Sequence, residues 1–369
     1  MKKVAIIGTR GVPASYGGFE TFAEELGIRL AALGWNVTVY GRKKIFSKSQ
    51  PLSDYKGVKR INAGTIFSKY LETPLSAFTA FWHAVFKLKP EIILLCNNAN
   101  AIAAWLAIFS TTKLFINVDG IERKRAKWGI VGKLGYLLGE YCAVKFADKI
   151  IADAEVIKLY YRHKHKTEAA MIAYGARYKP LPAGATLTKY LLTPRQYFIY
   201  VARLEPENNA LGVIEAFERA QVANPQSTYK LVIVGDAPYG LKYKKLLKER
   251  ASDRVVFTGF LFGDPYFELL NNAFAYIRAS EVGGTHPALL EAMTHGLCVI
   301  ANDVPQHREV LADTGIYYPF NDFAKLSEIL LNINSYNIEN FGIAAKQRAD
   351  LLYSWDKITA EYVKLFSEK

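Results

Sequence analysis

Apolar runs of strand length alternate with amphipathic stretches of helical period along the whole chain. Val4 to Ile7 reads as a buried strand closed by Gly8, Gly17 to Leu26 opens an amphipathic helix, and Asn36 to Tyr40 follows the Gly34 stop as the next strand. Ile92 to Leu95, Leu114 to Val118 and Lys149 to Ala152 continue the series, with helical patterns between them. Such a succession predicts a parallel sheet covered on both faces. The stretch from Lys179 to Arg195, rich in proline and small residues, interrupts it and reads as a hinge. Beyond it the pattern restarts, with strands at Tyr197–Val201, Tyr229–Val234, Val255–Phe257, Ala273–Arg278, Cys298–Ala301 and Ile316–Tyr318, and a helix over Ala210–Ala220. Ile343 to Phe366 predicts one long helix able to return to the first half. The expected class is α/β, with two Rossmann-like domains facing each other across a cleft. Residues 1–186 form the first and 187–349 the second, with a C-terminal helix of about 350–369 packing back on the first.

The most informative loop lies between the run ending at Arg278 and the helix that Pro287 begins, in the order Ala279-Ser280-Glu281-Val282-Gly283-Gly284-Thr285-His286. Proline suits the first turn of a helix because its missing N–H would have no partner there. Strand, glycine loop and helix N-terminus aim backbone N–H groups and the positive end of a helix dipole at one point, which suits phosphate or a sugar hydroxyl. Glu291 returns to the same helix face one turn after Pro287, where its carboxylate can accept from the cis-diol of a ribose. Together these features read as a nucleotide-sugar site. The same two glycines would also serve a tight packing turn with no ligand.

The length of 369 residues suits two cores rather than one. Cys96, Cys142 and Cys298 stand in apolar surroundings without metal-ligand spacing, which fits a reducing cytoplasm and argues against a zinc site. The run from Ile92 to Phe109 comes nearest to a membrane-crossing pattern, but Asn97, Asn98 and Asn100 split it. The N-terminal apolar run is too short for a signal peptide, so the chain is expected to be cytoplasmic, peripheral at the inner face of the cell membrane. Its net charge of +13 is uneven: residues 1–186 hold 28 Lys+Arg against 13 Asp+Glu, and the remainder 19 against 21. A basic first half points to an anionic partner. No recognition helix, RRM or zinc-finger pattern supports nucleic acid. Aromatics interleaved with cations at 67–70 and 78–83, and the cluster Arg123-Lys124-Arg125-Ala126-Lys127-Trp128, suit an anionic membrane surface; an ordinary solvated face is the alternative.

The loop after the first strand, Gly8-Thr9-Arg10-Gly11-Val12-Pro13-Ala14-Ser15-Tyr16-Gly17-Gly18-Phe19-Glu20, departs from G-x-G-x-x-G, and no acidic residue follows the second strand at Tyr40-Gly41-Arg42-Lys43. A nicotinamide cofactor is therefore not expected. The amides of Gly17 and Gly18, at a helix start, could meet a diphosphate. Arg10 and Glu20 are acceptor or phosphate candidates, with a structural ion pair the alternative for Arg10.

Gly8 to Phe22, Asn117-Val118-Asp119-Gly120, Arg203-Leu204-Glu205-Pro206-Glu207-Asn208-Asn209 and Gly283 to Glu291 together resemble the retaining GT-B glycosyltransferases of family 4. The opening loop looks most like the bacterial β-1,4-rhamnosyltransferase subgroup. The resemblance implies a GT-B fold, a nucleotide-sugar donor held by the second domain, and a lipid-diphosphate-linked or glycan acceptor in surface polysaccharide synthesis. It implies that Arg203 neutralises the donor diphosphate. The lysine usually found five residues later is absent, with Asn208 in its place. Glu291 matches the second glutamate of the family pair, but Gly283 stands where the first belongs, and Glu281 is two residues early. Either Glu281 substitutes through a longer loop, or Gly283 lets the donor reach the amides of Gly283, Gly284, Thr285 and His286. The second is preferred, since rhamnose lacks a 6-hydroxyl and needs fewer polar contacts.

A nucleoside diphosphate is a good leaving group, so the protein's task is to stabilise charge on its oxygens, without cofactor or metal; no D-x-D motif is evident. The resemblance implies that the departing phosphate takes the acceptor proton. Asp119 is then the candidate to orient the acceptor hydroxyl or steady the sugar cation, or else a helix cap. His286 is read as a hydrogen-bonder to sugar or as structural, and His163 and His165 as surface strand or loop residues. A GT-B-type nucleotide-sugar epimerase would need more carboxylates and histidines than can be placed. A non-catalytic membrane scaffold is the third reading.

Overall fold

The computed structural model describes residues 1–14, 17–42, 54–66, 68, 71–118, 120, 129–237 and 240–368. The chain divides into two compact units, Met1–Gly175 with Trp355–Lys369, and Ala176–Ser354. Candidate Asp119, the basic cluster 123–128 and the interleaved Phe67, Lys69 and Tyr70 lie outside the described residues.

In the first unit the chain runs β1 (Lys3–Ile7), α1 (Gly18–Ala32), β2 (Asn36–Arg42), β3 (Lys59–Ala63), α2 (Glu72–His83) with a π-type turn over Ala84–Leu88, β4 (Ile92–Cys96), a 3-10 segment Asn98–Phe109, β5 (Lys113–Asn117), α3 (Ile130–Phe146), β6 (Lys149–Ala152), α4 (Glu155–His165) and β7 (Ala170–Met171). The strands pair in the order β3-β2-β1-β4-β5-β6-β7, all parallel. β1 lies inside the sheet, between β2 and β4, because Val4, Ala5, Ile6 and Ile7 are apolar without alternation, so both sides of the strand can be buried.

The second unit runs α5 (Ala185–Lys189), β8 (Tyr197–Val201), a 3-10 turn Pro206–Asn208, α6 (Ala210–Ala223), β9 (Lys230–Val234), α7 (Leu241–Arg250), β10 (Val255–Gly259), α8 (Asp264–Asn272), β11 (Ala275–Arg278), α9 (Pro287–Thr294), β12 (Cys298–Asn302), α10 (Pro305–Leu311), β13 (Ile316–Tyr318), α11 (Phe323–Leu331) and α12 (Ile338–Leu352). Its parallel order is β10-β9-β8-β11-β12-β13.

Three sequence expectations change. The long C-terminal helix is two helices, α12 in the second unit and α13 (Trp355–Ser367) in the first. The break is fixed by backbone pairing, since Ala176 N donates to Tyr353 O at 2.7 Å, while α13 sets Tyr362 on Phe22 and Phe366 on Phe115 at ring centroids of 5.4 and 4.8 Å. The proline-rich stretch belongs with the second unit. Glu268 accepts from the amides of Gly184 and Leu187, and Asn271 and Asn272 donate to Leu181 O. His163 and His165 lie in α4 rather than in a strand or loop, and the His165 ring stacks on Tyr161 at 5.3 Å.

Candidate active site

In each sheet the chain leaves its first strand in one direction and later returns to that strand's other side, so a topological switch point lies between β8 and β11, and another between β1 and β4. Ligands of doubly wound folds bind at the carboxyl ends of the strands at such points.

In the second unit the switch point joins the two loops that the sequence singled out. Glu281 N donates to Glu207 O at 3.0 Å, and the Asn209 side-chain amide donates to Ala279 O and to Glu281 Oε1, both at 3.0 Å. The Arg203 loop and the glycine loop are thus stitched side by side. Arg203 keeps a side-chain exposure of 37%, with its guanidinium 3.8 Å from Glu205. Asn208 is buried and donates to Arg203 O at 2.8 Å, while its own carbonyl accepts from Tyr200 Oη at 2.6 Å. Asn208 thus staples the backbone that carries Arg203.

Glu281 is likewise committed inward. Its Oε1 also accepts from Asn321 at 2.8 Å, and Asn321 Oδ1 accepts from Asn302 at 2.8 Å, so one oxygen of the early glutamate is held in a carboxamide network. Gly283 has φ +142°, and a Cβ there would sit 2.2 Å from His286 Cε1. No side chain fits at that position without moving the imidazole.

Behind His286 runs a directional relay. The buried His307 has Nδ1 at 2.8 Å from Asn302 O, a pure acceptor, so that nitrogen carries the proton. Burial, assisted by the Arg278 charge, lowers the His307 pKa to about 3 and keeps the ring neutral. Nε2 is then a lone pair that accepts from the Ser280 hydroxyl at 3.2 Å, and the Ser280 oxygen stands 3.4 Å from His286 Nε2 as its acceptor. The relay makes His286 Nε2–H the donor of that contact. Gly284 and Thr285 are buried beside it, and α9 starts at Pro287 without a side-chain cap.

Glu291, 3% exposed, is held at both oxygens: Oε1 accepts from Arg177 Nε at 2.6 Å and Oε2 from Tyr266 Oη at 2.7 Å. Burial, then the Glu291 charge, pushes the Tyr266 phenol well up, so it remains a donor. Each carboxylate oxygen still has a second lone-pair direction. Arg177, whose guanidinium lies 5.0 Å from the Phe267 ring centroid, was missed by sequence reasoning; its one signal is a cation just after the apolar run Met171 to Tyr174. Sequence reasoning also missed a cavity of about 700 Å³ at the carboxyl ends of β9 and β10, lined by Leu204, Asp236, Lys244, Lys248, Thr258 and Gly259. A smaller cavity, about 310 Å³, lies at the opposite ends of the strands, near Gln196 and Thr228.

In the first unit the β1 loop is held by acids. Arg10 N donates to Glu20 Oε1 at 2.8 Å and Ala14 N to Glu24 Oε2 at 2.5 Å, from successive turns of α1. Gly17 precedes α1 as its cap residue, in extended conformation and with no side-chain cap, and Glu20 supplies a carboxylate to the first turn. Glu20 is therefore a loop clamp in this structure, and Arg10 is half-buried beside it. Asn117, two residues before Asp119, donates to Tyr362 Oη at 3.0 Å. Among the described residues no group of three His, Cys, Asp or Glu could hold a metal ion.

Comparison with known proteins follows this division. Residues 195–334 match the glycosyl transferases group 1 family, and residues 1–47 and 88–177 match a domain of unknown function, DUF1972. The O-antigen chain mannosyltransferase B of Escherichia coli is 23% identical over 219 residues, which span 58% of this chain and 57% of that protein. Sucrose-phosphate synthase from Thermosynechococcus elongatus superimposes with a TM-score of 0.82 at 21% identity, over 99% of this chain and 98% of that one. WaaG, a glycosyltransferase involved in lipopolysaccharide biosynthesis, gives 0.76 at 15%, and Anabaena HepE in complex with UDP-glucose 0.75 at 14%, each over the full length of both chains. The architecture is GT-B, and the second unit carries a glycosyltransferase group 1 domain.

Proposed function

We propose that this chain, a GT-B protein with a glycosyltransferase group 1 domain, moves a hexose from a nucleotide-sugar donor to a lipid-diphosphate-linked or glycan acceptor in surface polysaccharide synthesis. The observation that carries the reading is the joining of the exposed Arg203 to the Gly283–His286 loop at the switch point of that domain. The cavity that begins at Leu204 has room for a nucleobase.

In this reading Arg203 and the amides from Gly283 to His286 stabilise the charge that builds on the diphosphate as the glycosidic bond breaks. Glu291 meets the ribose with its remaining lone pairs, positioned by Arg177 and Tyr266. Transfer is with retention, the departing phosphate oxygen taking the acceptor proton on the same face. Asp119, with Arg10, serves the acceptor side.

The preferred donor is dTDP-L-rhamnose. Its support is the opening-loop resemblance, together with a glycine at position 283 and a Glu281 oxygen already engaged by Asn209 and Asn321, which leave few polar groups for a 6-hydroxyl. A GDP-mannose donor is the second reading, favoured by the mannosyltransferase relative. The enzyme would work at the cytoplasmic face of the membrane, drawn to anionic lipid by the charge excess of its first half; no helix among the described residues is long and apolar enough to cross a membrane.

The test is incubation with dTDP-rhamnose, GDP-mannose and UDP-glucose, each with a lipid-diphosphate sugar, read by mass spectrometry of the lipid product. Epimerised free nucleotide sugar, or no product with any donor, sinks the transferase assignment. Arg203→Ala should weaken dTDP or GDP binding by about 10- to 100-fold in calorimetry, as loss of a charge-assisted contact implies. Unchanged affinity would remove the proposed diphosphate site.

A further inference from the structure

One helical layer of the first unit is apolar on its outward side, where a surface layer is ordinarily polar. α3 packs inward through Gly139, Cys142 and Ala143, and Gly139 approaches the 98–109 segment so closely that a Cβ would sit 2.3 Å from Asn98 O. On the opposite arc, at helical spacing, Ile130, Leu134, Leu138 and Tyr141 are 80%, 58%, 50% and 57% exposed. In the same layer, α2 and its π-type turn meet the 98–109 segment through a line of exposed rings. Trp82 lies 6.0 Å from Phe86, Phe86 6.3 Å from Phe109, and Phe109 6.1 Å from Trp105, by centroids. All of these elements share one core on the inner side, through Phe81, Ala104 and Ala143.

The charge on this layer has one sign. Its acids are Glu72, paired with Arg42 at 2.8 Å, and Glu140, buried and held by Lys164 at 2.7 Å. Its exposed cations are Lys87, Lys133 and Lys145. A second copy of the chain docked here about a two-fold axis would set lysines against lysines, with no exposed carboxylate on these elements among the described residues to answer them. A lipid leaflet bearing phosphate answers both features, taking rings and leucines at headgroup depth while its anions meet the lysines.

We infer that the outward face of α2, the 98–109 segment and α3 inserts into an anionic bilayer interface. This deepens the membrane association proposed above and rests on it, but it replaces attraction alone with insertion of a defined apolar surface. Binding should therefore have two components, a charge-dependent one that salt screens and an apolar one that salt leaves in place.

The experiment is flotation of the full chain with phosphatidylcholine vesicles, with and without phosphatidylglycerol, at low and high salt. No donor or acceptor is added, so failure here leaves the transfer assay untouched. The expected result is flotation with the anionic vesicles, partly retained at high salt, with a blue shift in tryptophan emission. Leu134→Glu with Leu138→Glu should lower vesicle partition by about tenfold or more, since two exposed apolar side chains leave the interface. Lys133→Ala with Lys145→Ala should lower it at low salt only. Should the leucine variant lose its fold by circular dichroism, Trp105→Ser gives the same reading at a separate exposed position. Wild-type flotation by the folded variants overturns the proposal, as does equal flotation with uncharged vesicles. A solution dimer that the leucine variant dissociates, without vesicle binding by the wild type, assigns the face to a second copy instead.

Discussion

The two units share a switch-point topology and differ in what holds the loop there. In the first, carboxylates do it: Glu20 and Glu24 reach back from α1 to the amides of Arg10 and Ala14. In the second, carboxamides do it: Asn208 and Asn209 fasten the Arg203 loop, and Asn302 and Asn321 hold Glu281. An acid in the first helical turn offsets the positive end of the helix dipole and disfavours a phosphate. In the second unit the Arg203 guanidinium meets Glu205 at 3.8 Å, and α9 begins with no acid in its first turn. Equivalent topology is thus fastened by acids in one unit and by amides in the other.

The contrast can be broken most forcefully at Gly283. Gly283→Val places a branched side chain at φ +142° against His286, strain worth at least about 1–3 kcal/mol, and donor turnover should fall by ~100-fold or more with the fold intact. Near-normal turnover would remove the glycine loop from the site. Next in size, Arg177→Ala leaves a buried carboxylate with only Tyr266. Because Arg177 keeps a side-chain exposure of 25%, the expected loss is about 2–3 kcal/mol, read as a lower urea midpoint. No change in the midpoint would mean that the pair does not hold α9.

At neutral pH a smaller effect is expected from His307, whose contribution appears only in acid. Its pKa is lowered in the folded state, from 6.5 to about 3, so the unfolded chain binds more protons between those values. Stability from this group is level above about pH 6.5 and falls with acid by up to ~1.4 kcal/mol per pH unit. His307→Gln should flatten that acid limb; an unaltered limb would place the pH dependence elsewhere. The smallest effect is expected from Glu20→Gln, which keeps the bond to Arg10 N while removing the charge. It should change stability by less than about 1 kcal/mol and raise phosphate affinity of the first unit a few-fold, by calorimetry. An unchanged affinity would mean that the acid does not set the difference between the loops.

Much of this site was legible in the sequence because its parts are contiguous. The glycine loop, Pro287 and Glu291 sit in one stretch, and Arg203 follows a strand whose apolar run is plain. What escaped was the pairing of polar groups. Glu281 looked available as a replacement for the missing family glutamate, but Asn209 and Asn321 hold one of its oxygens. Asn208 looked like the loss of a phosphate ligand and is a loop staple. Arg177 carried almost no local signal.

The sequence by itself determined where the strands lie, that the βα pattern restarts after a hinge, and which loop carries glycines ahead of a helix. Those features follow from burial with a short period, which neighbouring residues alone encode. Tertiary structure decided that Glu291 is bound by Arg177, 114 residues away, that His286 is backed by Ser280 and His307, and that the C-terminal helix breaks at Tyr353. A polar side chain settles on whichever donor or acceptor the fold brings within about 3 Å. No periodicity along the chain specifies that partner.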